Sequence, residues 1–185
     1  TPISLSTEGA RLVPLTYDHT PELVDAAADG ALHHLWYTTV PAPERVEQEI
    51  SRRLALQDAG SMVPFAILDA TGRAVGMTTY MNVDHANRRV EIGSTWYRKS
   101  VQRTGLNTKI KQLMLTHAFE AQDAIAVEFR THVLKRQAAL PVVPELAVAV
   151  TMVSTAASEP LIQAITTVSS GAGVPFSVAF PTKTL

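Results

Sequence analysis

The sequence predicts an α/β domain built on a central, mostly antiparallel mixed sheet flanked by helices. Three observations carry this. Strand-like runs at Val63–Leu68, Arg73–Met81 and Arg88–Trp96 follow one another with only turn formers between them, which is the pattern of a meander. A helix with a clean apolar stripe, 106–121, comes directly after the third run. Two shorter helical stretches precede the meander, and a further short strand follows the long helix.

In chain order, Arg11-Leu-Val-Pro-Leu15 reads as a first strand. Thr20-Pro21-Glu22 opens a helix, with a hydroxyl to cap it, proline at the first helical position and an acid in the first turn; Gly30 ends it. Pro43-Glu44 opens a second helix, with Val46, Ile50 and Leu54 on one face. The three strand runs are separated by Asp69-Ala-Thr-Gly72 and Asp84-His-Ala-Asn87, both rich in turn residues. Leu106, Ile110, Leu113, Met114, His117 and Ala121 form the stripe of the third helix, and 124–130 forms a strand. The order is therefore β, α, α, β, β, β, α, β.

The 185 residues suffice for one domain with a substantial core. Residues 138–185 are unlike the rest, with only Glu145, Glu159 and Lys183 charged against 30 charged residues before them. A greasy C-terminal part of the same sheet is the favoured reading, with strands at Leu146–Ser154 and Val174–Phe180 and a short helix near Leu161–Thr167. A separate unit, or a stretch that does not continue the native gene, are the alternatives.

Composition narrows the function. A net charge of −1 argues against a nucleic-acid binder held by bulk charge. The absence of cysteine removes disulfides, thiolate nucleophiles and zinc–cysteine sites. No set of His, Asp and Glu has metal-ligand spacing, so no metal is expected. No apolar run approaches the roughly 20 residues that span a bilayer, and no basic-then-apolar leader opens the chain, so a cytoplasmic protein is expected.

Residues 91–108 are the most informative stretch. A strand ends near Trp96, a basic loop follows, and Gln102-x-x-Gly105-x-Asn107 opens the third helix. A loop and helix N-terminus of this kind bind anions, because successive backbone N–H groups converge and the helix dipole adds partial positive charge. Arg98, Lys99, Arg103, Lys109 and Lys111 crowd the same stretch, which points to a phosphorylated cofactor. Gly93 inside a strand run marks a bulge, which frees backbone groups of Ser94, Thr95 and Trp96.

These features together resemble the GCN5-related N-acetyltransferase (GNAT) superfamily, and within it the RimJ/RimL-like branch that acetylates protein N-termini. The resemblance covers about residues 10–132 of a single domain, 1–185. It rests on Leu35-Trp36-Tyr37 with Pro41, on Pro64-Phe-Ala-Ile67 with Gly76, on Val90-Glu91-Ile92-Gly93 and on the stretch from Gln102 to Lys111. It implies an acyl-CoA N-acyltransferase fold and acetyl-CoA as cosubstrate, lying across two splayed strands. The backbone of Ser94, Thr95 and Trp96 would then hold the pantetheine arm, and a free N–H there would stabilise the oxyanion by about 3 kcal/mol. Gln102, Arg103, Thr104, Gly105, Leu106, Asn107 and Thr108 would hold the pyrophosphate, with Gly105 chosen because a Cβ would intrude; Arg98, Lys99 or Arg103 would reach the 3′-phosphate. Glu91 is the candidate general base and Ser94 its catalytic neighbour, against a plain reading of Glu91 as a strand residue paired with Arg88 or Arg89. Trp36 and Tyr37 would wall the acceptor groove, with core packing the other reading.

The pattern departs from the family after the last strand. His132-Val-Leu-Lys135-Arg-Gln-Ala138 stands where an Asn-x-x-Ser-like helix start is usual, and Pro141 and Pro144 break any helix there. The expected reaction is direct attack of an amine on acetyl-CoA in a ternary complex. The expected acceptor is a protein or peptide N-terminus. A small amine such as an aminoglycoside or polyamine is the alternative within the class, and a non-catalytic CoA-binding module the alternative outside it. The apolar C-terminal part is compatible with a homodimer.

Overall fold

The computed structural model describes residues 3–35, 40–132 and 163–169. Seven strands form one sheet in sequence order: β1 (Leu5–Thr7), β2 (Ala10–Pro14), β3 (Met62–Asp69), β4 (Ala74–Asp84), β5 (Arg89–Tyr97), β6 (Ala126–His132) and β7 (Gln163–Ser169). Every neighbouring pair is antiparallel except β5 and β6, which run parallel. A parallel pair needs a crossover, and α3 (Leu106–Thr116) supplies it, extended by a π-helical turn at His117–Ala121.

The meander lies where the sequence puts it because its turns are built by the expected side chains. Asp69 Oδ1 accepts from the backbone N–H of Thr71 at 2.8 Å and from its hydroxyl at 2.6 Å, and Gly72 takes φ +86°. In the next turn Asp84 Oδ1 accepts from Asn87 N–H at 3.0 Å.

Both faces of the sheet are covered, so β3 reads as a continuous apolar run rather than an alternation. Phe65 and Ile67 face α3 and pack with Leu12, Tyr80, Ile92, Ile110 and Met114. Ala66 and Leu68 face the other way, into a second core with Leu23 and Ala26 of α1 (Thr20–Ala28), Val46 and Ile50 of α2 (Val46–Asp58), Met77 and Trp96.

Three expectations need correction. The first strand has an additional partner, β1, that its short polar sequence hides. Thr20 is the first helical residue of α1 rather than its cap, and its buried hydroxyl has no partner. The helix expected near Leu161–Thr167 is instead β7, whose Ile165-Thr-Thr-Val168 run is β-branched and pairs antiparallel with β6 from Ala126↔Ser169 to His132↔Gln163. The strands expected at Leu146–Ser154 and Val174–Phe180 lie outside the described residues, as do Trp36 and Tyr37.

Candidate active site

The parallel pairing of β5 with β6 is short. It runs through Arg89↔Ala126, Val90↔Val127 and Glu91↔Glu128 and then stops, although β5 continues to Tyr97 and β6 to His132. The two strands part after Glu91, and a wedge opens between them. Among the described residues its β5 wall has no strand partner beyond Glu91, so its backbone donors and acceptors form a sheet edge there.

Glu91 stands at the apex of this wedge. It is 4% exposed, and its Oε2 accepts a 2.7 Å hydrogen bond from Asn82 Nδ2. Of the two arginines beside it in sequence, Arg88 pairs with Asp123 and Arg89 with Glu128. A Cβ on Gly93 would come within 2.8 Å of Met81 Sδ and 3.3 Å of Glu91 Oε1, so the glycine leaves room for the carboxylate.

Next to the apex β5 bulges. Met77 faces Trp96 and Thr79 faces Gly93, so Thr78 alone opposes both Ser94 and Thr95. Ser94 takes φ +47°, which a non-glycine residue adopts only when its surroundings hold it there. Arg53 of α2 is the holder. It is 1% exposed, its Nη2 donates to Ser94 O at 2.8 Å and its Nε to Glu49 Oε1 at 2.8 Å, while Nη1 has no partner among the described residues. Burial alone would raise the Glu49 pKa, but hydrogen bonds from Arg52 and Arg53 hold it low, and the pair stays ionic. Beyond the bulge, Trp96 is buried against the α1–α2 face with its indole N–H unpartnered.

The loop from β5 to α3 supplies the second half of the site. Lys99–Val101 form a 3₁₀ turn, Arg103 takes φ +65° and Gly105 φ +86°, and α3 begins at Leu106. The first-turn N–H groups of α3, at Leu106, Asn107 and Thr108, precede the first intrahelical bond, from Lys109 N–H to Gly105 O at 3.1 Å. The loop is braced by Gln102 Nε2 donating to Tyr97 O at 3.2 Å, by the Thr104 hydroxyl donating to Val101 O at 2.7 Å, and by the Tyr97 hydroxyl donating to Asn107 Oδ1 at 3.1 Å. Asp29, at the end of α1, ties it to the body of the protein. Its Oδ2 accepts from Ser100 N–H at 2.9 Å and from Arg98 Nε at 3.0 Å, and these bonds lower its pKa to about 2. Nothing lies within 4 Å of where a Cβ of Gly105 would sit. Glycine is therefore demanded there by backbone conformation, and the open space beside it is room for a ligand.

The basic cluster of the sequence does not gather at this loop. Arg98 is paired with Asp29, Lys109 Nζ donates to Glu8 O at 2.9 Å, and Lys111 turns inward, 8% exposed. Lys99, Arg103 and Lys109 are the exposed members of that cluster, and Lys109 lines an open pocket with Val101, Thr104 and Leu106. Arg53 is not singled out by the sequence, and Lys111 is read there as part of the basic cluster rather than as a buried residue. For Lys111 the signal was present: it shares a helical face with Met114, Leu115 and Ala118, all buried. Among the described residues no group of His, Asp and Glu could hold a metal ion, and no helix is long and apolar enough to cross a membrane.

The wedge, the bulge and the glycine-turned helix start belong to one sequence pattern, and residues 10–137 match the model of the acetyltransferase (GNAT) domain. The chain belongs to the GNAT family. It is an N-acetyltransferase, and the GNAT fold uses acetyl-CoA. Solved GNAT structures superpose over nearly the whole chain. A GCN5-related N-acetyltransferase from Brucella melitensis has a TM-score of 0.72 at 20% identity, with 91% of this chain and 79% of that one covered. RimL, the ribosomal L7/L12 α-N-protein acetyltransferase, has a TM-score of 0.70 at 14% identity in its apo form, covering 91% and 93%. RimL in complex with coenzyme A has 0.67 at 16%, covering 91% and 96%. At these identities the likeness is one of fold. No curated protein matches the sequence.

Proposed function

We propose that this GNAT protein transfers the acetyl group of acetyl-CoA to the α-amine of a protein or peptide N-terminus, by direct attack in a ternary complex. The observation that carries the reading is the placement of buried Glu91 at the apex of the wedge, beside a bulge whose left-handed Ser94 turns backbone groups out of the ladder. The free β5 edge takes the pantetheine amides as a strand would. The N–H groups from Gln102 to Thr108 take the pyrophosphate, and the open space at Gly105 admits it. Lys99 and Arg103 are the exposed cations for the 3′-phosphate; Arg98 serves instead as a brace.

At the bulge a backbone N–H of Ser94 would meet the oxyanion as the amine adds to the thioester carbonyl. One such donor supplies about 3 kcal/mol in known sites. Glu91 takes the proton that the amine must lose. The chain has no cysteine to carry an acetyl group, which supports direct transfer. An α-amine suits a modest base, since its pKa of about 8 leaves a useful free-base fraction near neutrality, against about 10.4 for lysine. A donor drawn from the acetyl-CoA pool fits a cytoplasmic enzyme.

The testing experiment has two stages. Calorimetric titration with acetyl-CoA and with CoA should give one-to-one binding in the micromolar range. Mass spectrometry should then find acetyl on the N-terminus of a peptide with free N-terminal serine, and none on the same peptide carrying a blocked N-terminus and an internal lysine. Acetylation of the lysine, or of a polyamine in preference to either peptide, would move the acceptor to another class.

A further inference from the structure

Lys111 is a buried cation that this scheme leaves without a task. It projects from α3 into the space beneath the wedge and touches both walls: Nζ donates to Thr95 Oγ1 of β5 at 2.9 Å and lies 5.3 Å from the centre of the Phe129 ring of β6. Among the described residues no carboxylate pairs with it. Its neighbours in the core are Ile110, Met114, Leu115 and Phe129. β1 and β2 pack on α3 as well, and from β4 and β5 the residues that bond the helix are Thr78 and Tyr80, both to Met114, Tyr97 to Asn107, and Thr95, which alone of these bonds Lys111. His117, farther along the helix, sits against Tyr80. Glu91 and Glu128 alternate with core residues Ile92, Val127 and Phe129, and so project from the opposite face of the sheet.

A lone ammonium in apolar surroundings is costly, and an aromatic ring offsets only about 0.5–2 kcal/mol of that. A leucine or methionine would pack there at no such cost. The position is therefore informative: the charge lies under the part of the wedge where the bulge opens, and its hydrogen bond goes to a hydroxyl that has a proton of its own to pass on. The Thr95 hydroxyl, which accepts from Lys111, donates to Gly93 O at 3.3 Å and lies 2.7 Å from Thr78 Oγ1, so its proton has more than one acceptor within reach.

We propose that Lys111 is the general acid of acetyl transfer, delivering a proton through the Thr95 hydroxyl to the CoA sulfur as the thioester C–S bond breaks. The inference rests on the acetyl-CoA reading above. The C–S electron pair leaves with sulfur. Thr95 gives its hydroxyl proton to that sulfur and receives one from Lys111 Nζ, and Lys111 is left neutral. The acceptor ammonium loses two protons, one before it attacks and one from nitrogen as the amide forms; both leave through Glu91 to solvent, and Lys111 regains its own from solvent. The sum is acetyl-CoA plus ammonium giving amide, CoA thiol and one proton. Burial, which pushes the Lys111 pKa down to about 7, suits a group that must give up its proton near neutral pH.

The test compares Lys111→Met, Lys111→Arg, Thr95→Val and Thr95→Ser with the unaltered protein. Calorimetry with CoA checks the underlying reading by itself: unaltered protein that fails to bind CoA removes both that reading and this proposal. With CoA affinity within about threefold of the unaltered protein in the variants, thiol release from acetyl-CoA should fall at least about 100-fold in Lys111→Met, Lys111→Arg and Thr95→Val, and stay within a few-fold in Thr95→Ser. The fall in kcat as pH rises through the neutral range should vanish in Lys111→Met. A readout that needs no acceptor is the ultraviolet absorbance of the CoA thiolate in the complex. The bound thiol should ionise about tenfold more readily in the unaltered protein than in Lys111→Met. Full activity in Lys111→Met overturns the proposal, as do near-normal activity in Lys111→Arg, whose guanidinium keeps its proton, and equal activity in the two Thr95 variants. Lys111→Met should also melt at a higher temperature than the unaltered protein, since it replaces a buried charge that has no carboxylate partner among the described residues by an apolar chain. If it does not fold, the Thr95 pair decides.

Discussion

Arg53 and Ser94 are joined across the domain, guanidinium Nη2 to bulge carbonyl at 2.8 Å, so that a helix on one face of the sheet fixes the backbone at the edge of the wedge. The left-handed φ of Ser94 would otherwise relax toward the ladder. Arg53→Met removes the clamp. The buried carbonyl then loses its partner, which costs about 1–3 kcal/mol; the larger penalty of a stranded charge is avoided because Glu49 keeps Arg52. Urea denaturation should show a loss of that size. Acetyl transfer should fall further than CoA affinity, because the altered backbone lies at the reacting end and not at the phosphate loop. Equal losses in the two would mean that Arg53 serves only the fold.

The meander and α3 were legible because their signals are local: Asp69 and Asp84 build the turns that separate the strands, and the apolar stripe of α3 is periodic within one helix. What is set by distant partners was not. β7 shows its pairing with β6 only in space, and short apolar runs do not distinguish helix from strand by period alone. Gly93 flagged the bulge, but the residue that takes the left-handed conformation is Ser94, and nothing in a serine announces that. The basic cluster misled for a related reason. Neighbours in sequence point about 100° apart around a helix, so Lys109 and Lys111, two residues apart, leave different sides of α3, one toward Glu8 and one beneath Thr95.

Two glycines near the site should respond differently to substitution. At Gly76 a Cβ would stand 2.1 Å from Trp96 O, and the obstruction is backbone that cannot step aside. Gly76→Ala should therefore destabilise the fold by about 3 kcal/mol or more, measured by denaturation, with activity lost through folding. At Gly105 there is space but φ is +86°. Gly105→Val should cost about 1–3 kcal/mol in strain, leave the fold standing and abolish CoA binding, since the side chain points into the room beside the helix start. Unchanged CoA affinity in a folded Gly105→Val would mean that the phosphates bind elsewhere.

Asp29 gives the site loop a pH dependence. Its pKa is lowered to about 2 by the Ser100 N–H and by Arg98, below the ordinary 3.8. A carboxylate with a depressed folded-state pKa contributes stability that is fully present above its unfolded value and lost as pH falls through the folded one. Stability from this contact should therefore hold above about pH 4 and disappear toward about pH 2. Asp29→Asn should be less stable than the unaltered protein at neutral pH, and the difference should close across that window. A difference that persists at pH 2 would assign the contact to packing.

Glu91→Gln separates the base from the scaffold. Glutamine keeps an oxygen to accept from Asn82 and adds no volume, so the fold and CoA affinity should be preserved. Acetyl transfer to a peptide N-terminus should fall by about 100-fold at pH 7, the lower range for general base catalysis. The acceptor makes the sharper prediction. An α-amine with pKa about 8 is mostly protonated at pH 7 and mostly free base at pH 9, so the need for a base fades across that interval. The ratio of unaltered to Glu91→Gln rates should shrink accordingly between pH 7 and pH 9. A lysine side chain, with pKa about 10.4, stays protonated throughout and would keep the ratio constant. The pH profile of one variant thus reports both the role of Glu91 and the kind of amine the wedge receives.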